Sequence, residues 1–186
     1  AIFNISWPVS KAMRLLQAFS LIFALLMVAG CSPSSIFGEN KPQSSVNPID
    51  DRPVEFNLNA SIKKINDVRR KYFLQPIKLD NRLLQAAENH AQLMGRTGKF
   101  GHEFGPSTKF QRRIFSVGFK NSAGENLGVG YRSIDAAIAG WLDSPGHRKI
   151  LLKRNYSLGG VAYAPNRSGK NPRLNHFWVL IVGAED

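Results

Sequence analysis

The spacing of apolar side chains divides the chain into a leading part of helical period and a closing part of strand period. Over residues 60–72, Ile62, Ile65, Val68 and Tyr72 fall on one face, which predicts an amphipathic helix ended by Gln75-Pro76. A second helix is expected over 81–95, capped by Asp80, with Leu83, Leu84, Ala87, Ala91 and Met94 inward. Residues 108–115 read as a short basic helix. Ser133 caps a fourth, whose inner side is Ile134, Ala137, Ile138 and Trp141, and Pro145-Gly146 breaks it. The period then shortens. SLGGVAYA (157–164) and HFWVLIVG (176–183) read as two strands joined by a polar loop, and a third strand is expected over 127–131. Helices first and strands last predict an α/β fold with an antiparallel sheet and helices on both of its faces.

The head of the chain follows a different pattern. Residues 15–30, LLQAFSLIFALLMVAG, follow Lys11 and Arg14 and end in small residues before Cys31. The run is shorter than the roughly 20 apolar residues of a membrane-crossing helix. Its basic, apolar and small-residue zones are those of a secretory signal, with Met13 a natural start. LMVAGC resembles a bacterial lipobox, which implies cleavage after residue 30 and a lipid on Cys31. Residues 31–56 form the lipidated cysteine and a Ser-, Pro- and Asn-rich tether that cannot bury a core. Residues 57–186 form the folded domain. Cys31 is the single cysteine, so no intramolecular disulfide supports it.

Charge narrows the partners. Lys and Arg number 25 against 13 Asp and Glu, a net +12, and removal of the leader leaves +10. Such an excess suits an anionic membrane surface, cell wall or glycan. No motif interleaves aromatics with the basic residues, so nucleic acid is not an expected partner. The expected state is a monomer.

Three phrases carry the candidate chemistry: KFGHEF (99–104), SAGENLGVG (122–130) and WLDSPGHRKIL (141–151). Each sets a titratable residue beside glycine or proline, on a turn rather than in a packed helix. Two imidazoles, His102 and His147, and one carboxylate, Glu125, have three uses when they face one cleft. They can hold a divalent metal such as zinc, act as general acid and base, or hydrogen-bond one another and hold the surrounding loops.

In this combination the sequence resembles the CAP superfamily (cysteine-rich secretory proteins, antigen 5 and pathogenesis-related proteins), in its bacterial disulfide-free branch. Asn66 to Arg69 resembles the opening helix. His102, Glu125 and His147 match the cleft histidines and glutamate. Trp141 with Ser144-Pro145-Gly146-His147-Arg148, Gly159, and Phe177-Trp178 match later positions. The resemblance implies an α-β-α sandwich with a central, mainly antiparallel sheet and a cleft lined by His102, Glu125 and His147. The second cleft acid of animal and plant members falls at 144, which is serine here. Asp143 would point elsewhere on its helix. Asn126 is expected to tie down the loop carrying Glu125, and Ser144 to cap the turn carrying His147.

Other residues have plainer readings. His90 lies among apolar helix positions as a half-buried packing residue. His176 caps the sheet, and Glu103 points outward. HEFGP is not HExxH, because the second histidine is absent. Ser144 and His147 lack the orienting acid of a serine hydrolase. The expected function is a lipid-anchored envelope module that binds a lipid, glycan or other envelope ligand. It would sit at the outer membrane facing the periplasm or on the extracellular surface. A hydrolase, either a peptidase or a cell-wall enzyme, is the alternative, and a purely structural envelope protein is the third reading.

Overall fold

A computed structural model describes residues 53–185. The leader, Cys31 and the first part of the tether lie outside the described residues. The elements run α1 (Leu58–Lys71), β1 (Lys78–Leu79), α2 (Asn81–Thr97), a 3-10 turn (Pro106–Thr108) and α3 (Phe110–Ser116). They continue with β2 (Ala123–Val129), α4 (Ile134–Asp143), α5 (Pro145–Leu151), β3 (Leu158–Ala164) and β4 (Phe177–Gly183). Four strands form one sheet in the order β1-β3-β4-β2. The short β1 pairs parallel to β3, while β2 and β3 both pair antiparallel to β4.

This is the expected α-β-α sandwich, and strand alternation builds it. Along β4, Phe177, Val179 and Ile181 pack with Leu83, Ala87, Met94 and Ile114 from α2 and α3. Trp178, Leu180 and Val182 alternate with them and pack on the other face with Ile65, Ala137, Trp141 and Leu151 from α1, α4 and α5. A strand covered on both sides needs apolar residues at every position, which is why HFWVLIVG reads as one continuous run. The close fit depends on Gly160. A Cβ there would lie 2.8 Å from the Leu83 carbonyl carbon and closer still to the Leu84 backbone.

Local signals set most helix ends. Asn57, Asp80 and Ser133 side chains accept from first-turn amides of α1, α2 and α4. Helix α1 ends before Gln75-Pro76, by a different device. The amide of Leu74 donates to the Arg69 carbonyl and that of Phe73 to Arg70, a Schellman closure with Phe73 at φ 56°. Helix α2 runs past Gly95 to Thr97, with Gly98 at φ 65° closing it.

Three expectations need correction. The third strand begins at Ala123, not 127, so Glu125 and Asn126 are strand residues paired with Ile181 and Leu180 rather than loop residues. Pro145-Gly146 ends α4 but also starts α5, because proline is tolerated in a first helical turn. His147 is therefore helical. The basic helix is split, with a 3-10 turn over 106–108 ahead of α3.

Arg69 locks the α1 end of the molecule. Wholly buried, it donates to the carbonyls of Gln75 (3.0 Å), Leu151 (2.8 Å), Lys153 (3.3 Å) and Tyr156 (2.6 Å). Burial pulls its pKa down, and these four oxygens compensate the charge.

Candidate functional site

Strand β2 is an edge strand, paired only with β4, and the site forms along it. Glu125 is buried there at 4 % exposure. The irregular segment after α2 brings His102 alongside, flanked by Gly101 and Gly105, whose φ values of 158° and 146° are conformations that L side chains rarely adopt. Thr108 ties this segment by accepting from the Phe104 amide at 2.7 Å and donating to the Gly105 carbonyl at 2.9 Å.

His102 Nδ1 lies 2.9 Å from Glu125 Oε1. A carboxylate only accepts, so Nδ1 is the donor of this bond, and in the neutral ring Nε2 is then the acceptor. The His102 side chain is 55 % exposed while that of Glu125 is 2 % exposed. A buried acid thus orients an accessible imidazole.

Arg113, on α3, is the residue that the sequence pattern does not mark. Its Nη2 donates to Glu125 Oε1 at 2.8 Å and to the His102 carbonyl at 3.1 Å, and its Nε donates to the Thr108 carbonyl at 3.0 Å. Nη2 also stands 2.8 Å from Oε2, without hydrogen-bond geometry. One guanidinium joins acid, histidine backbone and turn. Within the basic stretch Lys109–Arg113, nothing local distinguishes this cation from Arg112, which is exposed.

His90 also belongs to the surroundings of the site. It is fully buried rather than half-buried, with Nε2 2.9 Å from the Gly101 carbonyl and its ring stacked on Phe104 at 5.8 Å. The contact fixes the backbone just before His102. Burial lowers the His90 pKa most, Glu125 opposes that shift, and Arg113 and His102 add to it.

His147 sits in the first turn of α5, half-buried. Burial, then the charge of His102, lowers its pKa, so its imidazole is neutral at neutral pH. No hydrogen bond or ion pair joins the His147 side chain to His102 or Glu125 among the described residues. Asn126 sets the approach of α5, because its Nδ2 donates to the His147 carbonyl at 2.9 Å. Ser144 is the residue before α5, and its carbonyl accepts from the Arg148 amide at 2.8 Å, but its hydroxyl makes no capping bond. Glu103 and Asp143 are exposed. His176 lies at the other end of the sheet, buried, with Nδ1 2.8 Å from the Tyr163 hydroxyl.

The zinc use is the one this geometry disfavours. Among the described residues no three His, Cys, Asp or Glu side chains gather closely enough to hold a metal ion. Arg113 already holds the Glu125 carboxylate, and its positive charge would repel a divalent cation.

The polar capacity of the site is not exhausted. Among the described residues, the buried side-chain atoms without a hydrogen-bond partner are His90 Nδ1, Arg113 Nη1, Glu125 Oε2 and Asn126 Oδ1. The first three lie on the α2/α3 face of the sheet, and Asn126 points to the opposite face, toward α5.

Comparison with known proteins agrees with this architecture. The profile of the cysteine-rich secretory protein (CAP) family matches residues 62–182. The Bacillus subtilis protein YkwD is 30 % identical over 119 residues, which is 60 % of this chain and 46 % of YkwD. The chain spans less than half the length of the curated relatives it matches. Among solved structures, an outer surface protein of Borrelia burgdorferi superposes with a TM-score of 0.60 at 21 % identity, covering 69 % of this chain and 92 % of that one. An extracellular SCP-domain protein of Bacillus anthracis gives 0.56 at 24 % identity, covering 69 % and 41 %. With the family profile spanning α1 to β4, the chain belongs to the cysteine-rich secretory protein (CAP) family.

Proposed function

We propose that this CAP domain is a binding module of the bacterial cell envelope, tethered through a lipid on Cys31, that takes an envelope ligand with a polar head at the edge of β2. The observation that carries this reading is the accessible His102 imidazole, 55 % exposed, held at the edge of β2 by the buried Glu125–Arg113 pair. His102 Nε2 and the neutral His147 ring add two acceptors to Arg113 and Glu125. A sugar hydroxyl or lipid headgroup supplies matching donors and acceptors. The similar proteins named above include an outer surface and an extracellular protein, which accords with an envelope placement.

Binding is tested on the full chain by titration with soluble muropeptides and with short-chain phospholipids. Saturable binding that falls at least tenfold in both His102→Ala and His147→Ala is expected. Binding unchanged in both variants refutes the site. Intact mass tests the anchor: a diacylglyceryl adduct on Cys31 that disappears in Cys31→Ser is expected, and an unmodified thiol refutes it.

A second reading, hydrolysis, is favoured by one feature, the His102–Glu125 pair. It presents Nε2 as a base that could activate water. Turnover of peptidoglycan or a peptide substrate that is lost in His102→Gln, and is insensitive to chelator, would move the assignment to this reading.

A further inference from the structure

A second surface, separate from the β2 edge, lies at the far end of α1. Phe73 is 90 % exposed, far beyond the other exposed large apolar residues among those described, of which Phe115 at 51 % comes next. Its backbone sits at φ 56°, a left-handed position that helix ends usually give to glycine. A phenylalanine there strains the backbone while gaining no burial. Solitary surface apolar residues are common. A strained one at the convex tip of a helix is not.

Its setting is cationic. Arg69 from α1 binds carbonyls on the α5–β3 turn, so two segments adjoin at this end. Residues 68–79 and 144–157 together hold eight Lys and Arg and no Asp or Glu; Arg69 is buried and Lys78 pairs with Glu185, which leaves six at this surface. Arg148 Nη2 donates to the Tyr72 hydroxyl at 2.8 Å, with its guanidinium 5.6 Å from the ring centre. Lys71 is exposed next to Tyr72 in the chain, and Lys153 and Arg154 are exposed on the α5–β3 turn, with Lys153 Nζ 4.7 Å from the Tyr156 ring centre. The neighbouring Asp67 is paired with Lys63 and Arg70.

We propose that this tip, Tyr72 and Phe73 with Arg148 on Tyr72 and the exposed Lys71 adjoining, docks onto the surface of an anionic phospholipid bilayer. The aromatic rings enter the headgroup–acyl boundary while the cations stay among the phosphates. A nearly fully exposed apolar ring next to surface cations complements an anionic plane. The assignment does not rest on the His102 site. It gives the tethered domain a preferred orientation, with α1 toward the lipid.

The test uses the full chain with Cys31→Ser, which removes the anchor and leaves one thiol to carry the probe, added to preformed vesicles. An environment-sensitive label is placed at Gln75→Cys. In a parallel sample it is placed at Lys170→Cys, beyond the opposite end of β3, roughly 20 Å away for a seven-residue strand. Quenching by headgroup-level spin-labelled lipid is compared in phosphatidylcholine and in mixtures with phosphatidylglycerol. Strong quenching at 75 and weak quenching at 170, in the anionic vesicles only, is the expected result. Lys71→Glu with Arg148→Glu lowers it at least about fivefold per charge. Phe73→Gly lowers it while melting no lower than the parent, which separates docking from folding. Equal quenching at both positions, or quenching at 75 that survives both sets of variants, overturns the proposal.

Discussion

Arg113 and Glu125 form an ion pair in which both side chains are nearly buried, at 10 % and 2 % exposure, and the same guanidinium nitrogen reaches the carbonyl of His102. The pair joins helix to edge strand and secures the histidine segment. Its attraction is little screened by water, so breaking one side leaves a stranded charge.

Arg113→Gln should therefore cost about 3 kcal/mol, the lower end for unpairing a buried charge. Urea unfolding measures it. Glu125→Gln should also destabilise, and the double variant should lose clearly less than the two single losses together. Additive losses would show that the two groups are not coupled.

Stability should fall on mild acidification. His90 and His147 both have folded pKa values below the ordinary 6.5, chiefly through burial. The unfolded chain therefore binds protons first as pH drops. Stability is fully present above about pH 6.5 and declines below it, until the folded-state histidines protonate in turn. The urea midpoint at about pH 5 should lie below that at about pH 7.5, and His90→Gln should flatten the difference. Asp67 and Asp80 have pKa values lowered from 3.8, so they contribute to acid loss only further down. An unchanged midpoint above pH 5 would contradict the burial of His90.

Trp141 anchors α4 and also serves the edge strand. It is 1 % exposed, and its Nε1 donates to the Leu127 carbonyl at 2.9 Å. Trp141→Ala should cost about 3–5 kcal/mol. Trp141→Phe keeps much of the packing but leaves that carbonyl unpaired, for about 1–2 kcal/mol. A cost for Trp141→Ala below about 1 kcal/mol would contradict the burial.

Two opposite glycine substitutions test the backbone. Phe73→Gly relieves a left-handed residue and should raise stability by about 1 kcal/mol. Gly160→Ala forces a methyl into the α2 backbone at Leu83 and Leu84. It should cost more than about 2 kcal/mol, because a helix backbone yields less readily than a side chain. Thermal melts of the two variants should move in opposite directions.

How far the sequence carries depends on the range of the signal. The periods of α1, α2 and α4 and the apolar runs of β3 and β4 are legible because burial repeats along the chain itself. Asp80 and Ser133 cap within three residues. The family phrases bring His102, Glu125 and His147 to notice for the same reason, since each is a short string. What needed the tertiary structure is non-local. Glu125 reads as a loop residue beside two glycines, yet seven ladder pairs with β4 make it part of a strand. Lys78 and Leu79 become strand β1 only because β3 lies alongside. Pro145 breaks one helix and begins another, and only the packing of α5 against β2 decides which effect dominates. Arg113 shows the limit most clearly. In KFQRR its guanidinium has no local carboxylate, and its function comes from one twelve residues on that folding brings to 2.8 Å. Apolar periodicity is written in neighbours; the pairing of a buried charge is decided only when distant segments meet.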